Sequence, residues 1–209
     1  MLVKMKVDEF VEELASSSPA PGGGTISAVT GAFAAGLGAM VCGLTLGNPK
    51  YPDAQPFLPD VKEKLDALQK RFLELADEDT DAFNQVMAAY KLPKDTDEEK
   101  ESRKAAIAQA NIAAARVPMV TAESAVEVLH LLPEVITYGN VNTISDCGVA
   151  MECAHTAALG ALMNVAINLP SIKDEKELRQ LTDRKKALRK KLDSAYKSGV
   201  GVLALKLDY

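Results

Sequence analysis

Residues 16–49 read SSSPAPGGGTISAVTGAFAAGLGAMVCGLTLGNP and contain no charged side chain. A run of this length can cross a bilayer on length alone. Gly, Ala, Ser and Thr dominate it, however, and keep its hydrophobicity modest, so it reads as the buried helix of a soluble bundle. The helix spans roughly Thr25 to Leu46, and Gly47-Asn48-Pro49 stops it. Gly31, Ala35, Ala39 and Gly43 recur every four residues and form a stripe of small side chains on which another backbone can pack closely. At its start, Pro19 and Pro21 stiffen the approach to Gly22-Gly23-Gly24. Three exposed backbone N–H groups at a helix N-terminus favour an anion or developing negative charge; the plainer alternative is a flexible turn.

The flanking sequence is helical throughout. Upstream, Val7, Phe10, Val11 and Leu14 follow the spacing of a short amphipathic helix. Downstream, a helix from Pro59-Asp60 to about Lys91 carries Val61, Leu65, Leu68, Phe72, Leu75, Ala82, Val86 and Ala89 in steps of four and three, the seam of a bundle. Thr96 and Glu99 form a capping box that opens an Ala-rich helix over about Glu98 to Leu132, with Pro118 kinking it and Pro133 ending it. After the Gly139-Asn140-Val141-Asn142 turn, a second nearly uncharged helix covers about Thr143 to Asn168. The last helix begins near Asp174, with Leu178, Leu181, Leu188, Leu192 and Ala195 on one face and a solvated basic run from Arg184 to Lys191. These elements predict an all-α, up-and-down bundle of long helices, one domain over 1–209.

Composition agrees. The chain has 209 residues, 47% of them hydrophobic and 25% charged, enough apolar material for a full core. Aromatics are 5% and Trp is absent, so Ala, Leu, Val and Met must fill that core. The net charge of −5, without a basic stripe interleaved with aromatics, argues against nucleic acid as a partner. Cys42, Cys147 and Cys153 have no C-x-x-C spacing, which fits a reducing cytoplasm. The N-terminus does not read as a signal peptide. His130 and His155 lack a partner at ligand spacing, so no metal site is expected.

Two polar residues break the packing pattern. Continuing the seam from Leu75 by four lands on Asp79, within about 40° of both Phe72 and Leu75 on the helix surface. A carboxylate on a core face pays desolvation unless partnered, and its pKa is a candidate for being raised. It is either a catalytic group or a salt bridge or cap to a neighbouring segment. Asp77 and Asp81 lie about 160° away and are expected to be solvated. On the second uncharged helix, Asp146, Ala150, Cys153, Ala157, Gly160 and Asn164 share a face, with Asn168 a turn further on. Small residues beside Asp and Asn describe a tight helix contact or the wall of a polar cavity, and Asp146 can equally cap the helix start.

The segment Ser18-Pro19-Ala20-Pro21-Gly22-Gly23-Gly24-Thr25, with Met40-Val41 and Leu44-Thr45-Leu46-Gly47 after it, resembles the cyclodeaminase domain of the formiminotransferase-cyclodeaminase family. Stand-alone relatives in that family include methenyltetrahydrofolate cyclohydrolases. Further matches are Asp79-Thr80-Asp81-Ala82-Phe83, Val86-Met87, Leu92-Pro93, Val117-Pro118, Gly139-Asn140, Ser145-Asp146, Gly160-Ala161, Asn164-Val165 and Asn168-Leu169. The resemblance implies a homodimer or higher assembly, a tetrahydrofolate substrate, no metal, no redox cofactor and no formiminotransferase half. It implies conversion of 5-formiminotetrahydrofolate to 5,10-methenyltetrahydrofolate with release of ammonia, or hydrolysis at the same carbon by a cyclohydrolase. Asp79 is the first candidate for the acid/base and Asp146 the second. Gly22, Gly23 and Gly24 are candidates to bind an anionic part of the substrate; Asn48, Lys50, Asn140 and Asn164 are candidate pterin or tail contacts. A non-catalytic helical assembly protein is the alternative of another class, and it predicts Asp79 against a cation in a closed interface without an adjoining cavity.

Overall fold

An uncharged helix gains stability in water by packing against neighbours, and the computed structural model places residues 23–46 between two other helices, with one side left exposed. The structure describes residues 2–208. Its helices are α1 (Val7–Ala15), α2 (Gly23–Leu46), α3 (Leu58–Tyr90), α4 (Asp97–Tyr138), α5 (Ile144–Asn168) and α6 (Glu175–Ala204), joined by short turns and single-turn 3-10 segments. No strand occurs among the described residues. Helix α2 lies between α3 and α5 and touches α4; α4 and α5 in turn pack on α6. The short connections make successive neighbours antiparallel, so the bundle runs up and down as the sequence implied.

The small side chains of α2 set how closely its neighbours approach. A Cβ on Gly31 would stand 2.5 Å from Cε1 of Phe72, a fully buried ring of α3. A Cβ on Gly160 of α5 would stand 2.6 Å from Oγ of Ser27. Around these contacts Leu58, Leu65, Leu75, Met119, Leu129, Leu132 and Met151 are fully buried and form one continuous core.

Helix ends follow local chemistry, with one exception. The Thr96 hydroxyl accepts from the Glu99 N–H at 3.2 Å and Glu99 accepts from the Thr96 N–H at 3.0 Å, the capping box expected for α4. Asp174 caps α6 by accepting from Glu177 N–H at 3.0 Å. Pro133, however, does not end α4, which continues to Tyr138 with both Pro118 and Pro133 inside it. A proline removes one hydrogen bond and crowds the previous turn. Here Leu132, Val135 and Ile136, all fully buried on either side of it, hold the helix together.

The apolar stripe of α1 has no cover: none of its residues is buried, and Val7, Val11 and Leu14 are exposed. Asp77 departs from expectation too. Its Oδ1 accepts from the Leu2 N–H at 2.8 Å, tying the N-terminal turn to α3, and its Oδ2 is buried without a partner. Asp81 is exposed as expected. Helix Gly23–Leu46 and the segment Val141–Ser171 are long and apolar enough to cross a membrane by length and composition; about half of each window is buried inside the bundle.

Candidate functional site

Asp79 does occupy the core-facing side of α3, and what it faces is the start of α2. The Thr25 hydroxyl donates to Asp79 Oδ2 at 3.0 Å and lies 3.3 Å from the Thr80 hydroxyl. Thr25 itself is fully buried. A Cβ on Gly24 would overlap the Asp79 carboxyl group, so only glycine lets the carboxyl seat there. The anion at the head of α2 is thus the protein's own carboxylate, placed where the helix dipole favours it. Burial is the larger effect and pushes the Asp79 pKa up from its ordinary value, while the hydroxyl and backbone hydrogen bonds from Thr25 pull it down. No Lys or Arg forms an ion pair with Asp79 among the described residues, and the carboxyl opens on a cavity. Within the chain, then, Asp79 faces a cavity and not the cation-paired contact that the assembly-protein alternative predicts.

The cavity holds about 360 Å³, within the usual range for small-molecule sites. Gly22, Gly23, Gly24 and the Pro19-Ala20 segment form one wall, and Asp79, Thr80, Phe83, Val86 and Tyr90 of α3 another. Asn111 and Ala114 of α4 and Asn164, Ile167 and Asn168 of α5 complete it, with Ser171 just beyond. Val86, expected as part of the apolar seam, is a cavity residue; its seam neighbours Ala82 and Ala89 are buried.

The asparagines are fixed by backbone groups. Asn164 Nδ2 donates to the Gly160 carbonyl at 2.9 Å and lies beside Gly23. Asn111 Nδ2 donates to the Ser171 carbonyl at 3.1 Å. Asn168 Nδ2 donates to the Ala114 carbonyl at 2.8 Å and the Asn164 carbonyl at 3.0 Å. Ala114 is four residues before Pro118, so its carbonyl is the one that the proline leaves without a helical donor. Pro118 thereby creates the acceptor that ties α5 to α4 at the cavity wall.

The nine candidate residues fall into two groups. Gly22, Gly23, Gly24, Asp79 and Asn164 meet at this cavity. Asp146, Asn48, Lys50 and Asn140 do not; within one chain they stand at the other end of the bundle. Asp146 is 18 residues before Asn164 on α5, roughly 27 Å along the helix axis. Asn48 and Lys50 follow the far end of α2, where the Asn48 side chain accepts from the Lys50 N–H at 3.0 Å in a local turn. Asn140 has a structural task. Its Oδ1 accepts from the Tyr51 hydroxyl and from the Asn142 N–H, each at 3.0 Å, and its N–H donates to Thr45 Oγ1 at 2.8 Å. The face shared by Asp146 and Asn164 is real, but a helix of this length separates its ends.

Sequence reasoning passed over Asn111 and Tyr90 as site residues. The only available signal for Asn111 was an amide, beside Gln109, in an Ala-rich stretch. His155 stacks on Tyr196, ring centroids 4.0 Å apart, at the contact of α5 with α6. No group of three or more His, Cys, Asp or Glu among the described residues is arranged to hold a metal ion.

Residues 6–187 match the family model described as formiminotransferase-cyclodeaminase. The chain is 39% identical over 201 residues to a methenyltetrahydrofolate cyclohydrolase from Methylorubrum extorquens, covering 93% of this chain and 97% of that protein. It is 34% identical over 175 residues to a formimidoyltransferase-cyclodeaminase from Sus scrofa; that match covers 84% of this chain but 32% of the longer protein. The crystal structure of a formiminotetrahydrofolate cyclodeaminase from Thermotoga maritima superposes with a TM-score of 0.86 at 28% identity, covering 97% of this chain and 98% of that one. With a family model matched over residues 6–187 and near-complete coverage of a relative of the same length, this chain belongs to the formiminotransferase-cyclodeaminase family of folate one-carbon enzymes.

Proposed function

We propose that this enzyme acts on the one-carbon unit bridging N5 and N10 of tetrahydrofolate, and that it is a 5,10-methenyltetrahydrofolate cyclohydrolase with Asp79 as its acid/base. The observation that carries the chemistry is a single carboxyl of raised pKa, fixed by Thr25 and open to a cavity. The relative of matching length that is named a cyclohydrolase supports this choice of reaction.

The methenyl bridge is an amidinium cation. The half-buried Asp79 carboxylate stabilises it. Water then attacks the bridging carbon while Asp79 takes its proton, giving a neutral tetrahedral carbinolamine. The C–N5 bond breaks as Asp79 returns that proton to N5, and loss of the hydroxyl proton leaves 10-formyltetrahydrofolate. One group serves as base and then as acid, for which a pKa lifted toward neutrality is suited. Gly22 and Gly23 contribute wall and backbone polarity, and in this reading Asn164, which lines the same cavity, contacts the pterin.

The cyclodeaminase reaction is the second reading, supported by the Thermotoga maritima fold match. There N10 attacks the formimino carbon, Asp79 takes the N10 proton and gives it to the departing ammonia. The two are separated by substrate. Protein that speeds loss of the methenyl chromophore from 5,10-methenyltetrahydrofolate, and releases no ammonia from 5-formiminotetrahydrofolate, is a cyclohydrolase. Ammonia release with appearance of that chromophore assigns the cyclodeaminase; neither change rejects the folate reading.

We further infer a soluble homodimer. The uncovered stripe of α1 and the exposed Phe33, Met40 and Leu44 on α2 supply apolar surface for a second copy. Asp146, Asn48, Lys50 and Asn140 could reach a folate only across such an interface. Sedimentation of the detergent-free soluble fraction tests both points: a dimer is expected, and a monomer or a membrane-bound protein contradicts them.

A further inference from the structure

The cavity has a second end, away from Asp79. On α3 the residues Asp79, Phe83, Val86 and Tyr90 follow steps of four, three and four, so they form one stripe, and all four line the cavity. Tyr90 lies eleven residues from Asp79, roughly 16 Å along the axis. Helix α4 returns antiparallel, with Arg103, Ile107, Asn111 and Ala114 on a matching stripe. Arg103 meets Tyr90: Nη2 donates to the Tyr90 carbonyl at 3.1 Å, and the guanidinium centre is 5.7 Å from the ring centroid.

Two features mark this arginine. Its Nε is buried and has no hydrogen-bond partner. It also pairs with no carboxylate among the described residues: Arg71, Arg116, Arg184 and Arg189 each form an ion pair with Asp or Glu, whereas Arg103, like Arg179, forms none. A guanidinium has five N–H donors in a planar fork that fits a carboxylate through two of them. One of those donors is spent on Tyr90, which holds the plane in place, and a buried donor left unsatisfied is costly. The α2 N-terminus offers no equal anion site, because Asp79 already faces it.

Resting on the folate reading of the cavity, we propose that Arg103, seated on Tyr90, binds a carboxylate of the substrate's glutamate tail. The site is then bipolar: the carboxylate of Asp79 inside the cavity takes the cationic ring end, and the guanidinium of Arg103, just beyond the cavity's Tyr90 end, takes the anionic tail. Phe83 and Val86 line the stretch between them.

The test compares 5,10-methenyltetrahydrofolate with its diamide, in which both glutamate carboxylates are carboxamides. Wild-type enzyme is expected to show a lower KM for the acid than for the diamide. Arg103→Gln is expected to raise KM for the acid by about tenfold or more, the loss of a charge-assisted pair, with kcat near wild type and the diamide unaffected. Arg103→Lys is expected to recover part of the difference, since an ammonium keeps the charge but not the fork. A KM for the acid that Arg103→Gln leaves unchanged, or an equal rise for both substrates as from a lost helix cap, overturns the assignment. If Arg103→Gln does not fold, Arg103→Lys against the two substrates carries the same comparison. Wild-type protein that turns over neither a methenyl nor a formimino folate overturns the folate reading and this assignment with it. An active wild type with an indifferent Arg103 overturns the assignment alone.

Discussion

Asp79 is held in a position that costs stability. Burial raises its pKa above the ordinary 3.8, so the folded state binds this proton more tightly than the unfolded chain. The sign follows from linkage: the contribution to stability is fully present below pH 3.8 and is lost as pH rises through the higher folded value. Asp79→Asn carries no charge to desolvate. It should melt above wild type at neutral pH, with the gap closing as pH falls below 3.8, and thermal melts at the two pH values check this. The same variant should lower kcat by roughly 10²- to 10⁴-fold, the range for a lost acid/base. It should also lose the limb of the pH–rate profile on which activity rises as Asp79 ionises. Gly24 is the second residue under constraint. Gly24→Ala drives a methyl into the Asp79 carboxyl; it should cost about 1–3 kcal/mol in a urea melt and, by displacing the carboxyl from Thr25, reduce kcat as well. Asp79 was legible in the sequence because it interrupts a period that every neighbour obeys. Arg103 and Asn111 were not, because an arginine or an amide on a helix face acquires meaning only from what stands opposite.

At the scale of helices, position and type follow from local rules, and spacing between helices from the small residues. Gly31 carries a close α2–α3 contact, with Phe72 filling the space where a side chain would be. Gly31→Ala should therefore destabilise by about 1–3 kcal/mol through overpacking, a fall in Tm of roughly 2–4 °C per kcal/mol for a chain of this size. A denaturation curve reads it directly, and an unchanged midpoint would contradict the close approach. The capping box at Thr96 and the stop at Gly47 could be read from sequence because each depends on residues within one turn. Pro133 was misread for the opposite reason: its helix survives by burial of Leu132, Val135 and Ile136, a tertiary effect that outweighs a local preference. Pro118 shows how far such effects carry, since the carbonyl it frees is used by Asn168 from another helix.

At the scale of the molecule, antiparallel register decides which candidates meet. It brings the head of α2, the C-terminal part of α3 and the tail of α5 to one cavity, and sends Asp146 and Asn140 to the other end of the bundle. Sequence could group residues by helix face but had no measure of depth along the axis. That is why five of the nine candidates converge and four do not. A cavity built for folate must also respond to it: 10-formyltetrahydrofolate at about one hundred times its Kd should stabilise the fold by ~2.7 kcal/mol, seen as a rise in Tm. The most direct measurement of the central claim is hydrolysis of 5,10-methenyltetrahydrofolate by wild type and Asp79→Asn side by side. The account predicts that wild type removes the methenyl chromophore well above the buffer rate and that the folded variant is at least about a hundredfold slower. A wild type no faster than buffer, or a fully active Asp79→Asn, would contradict it.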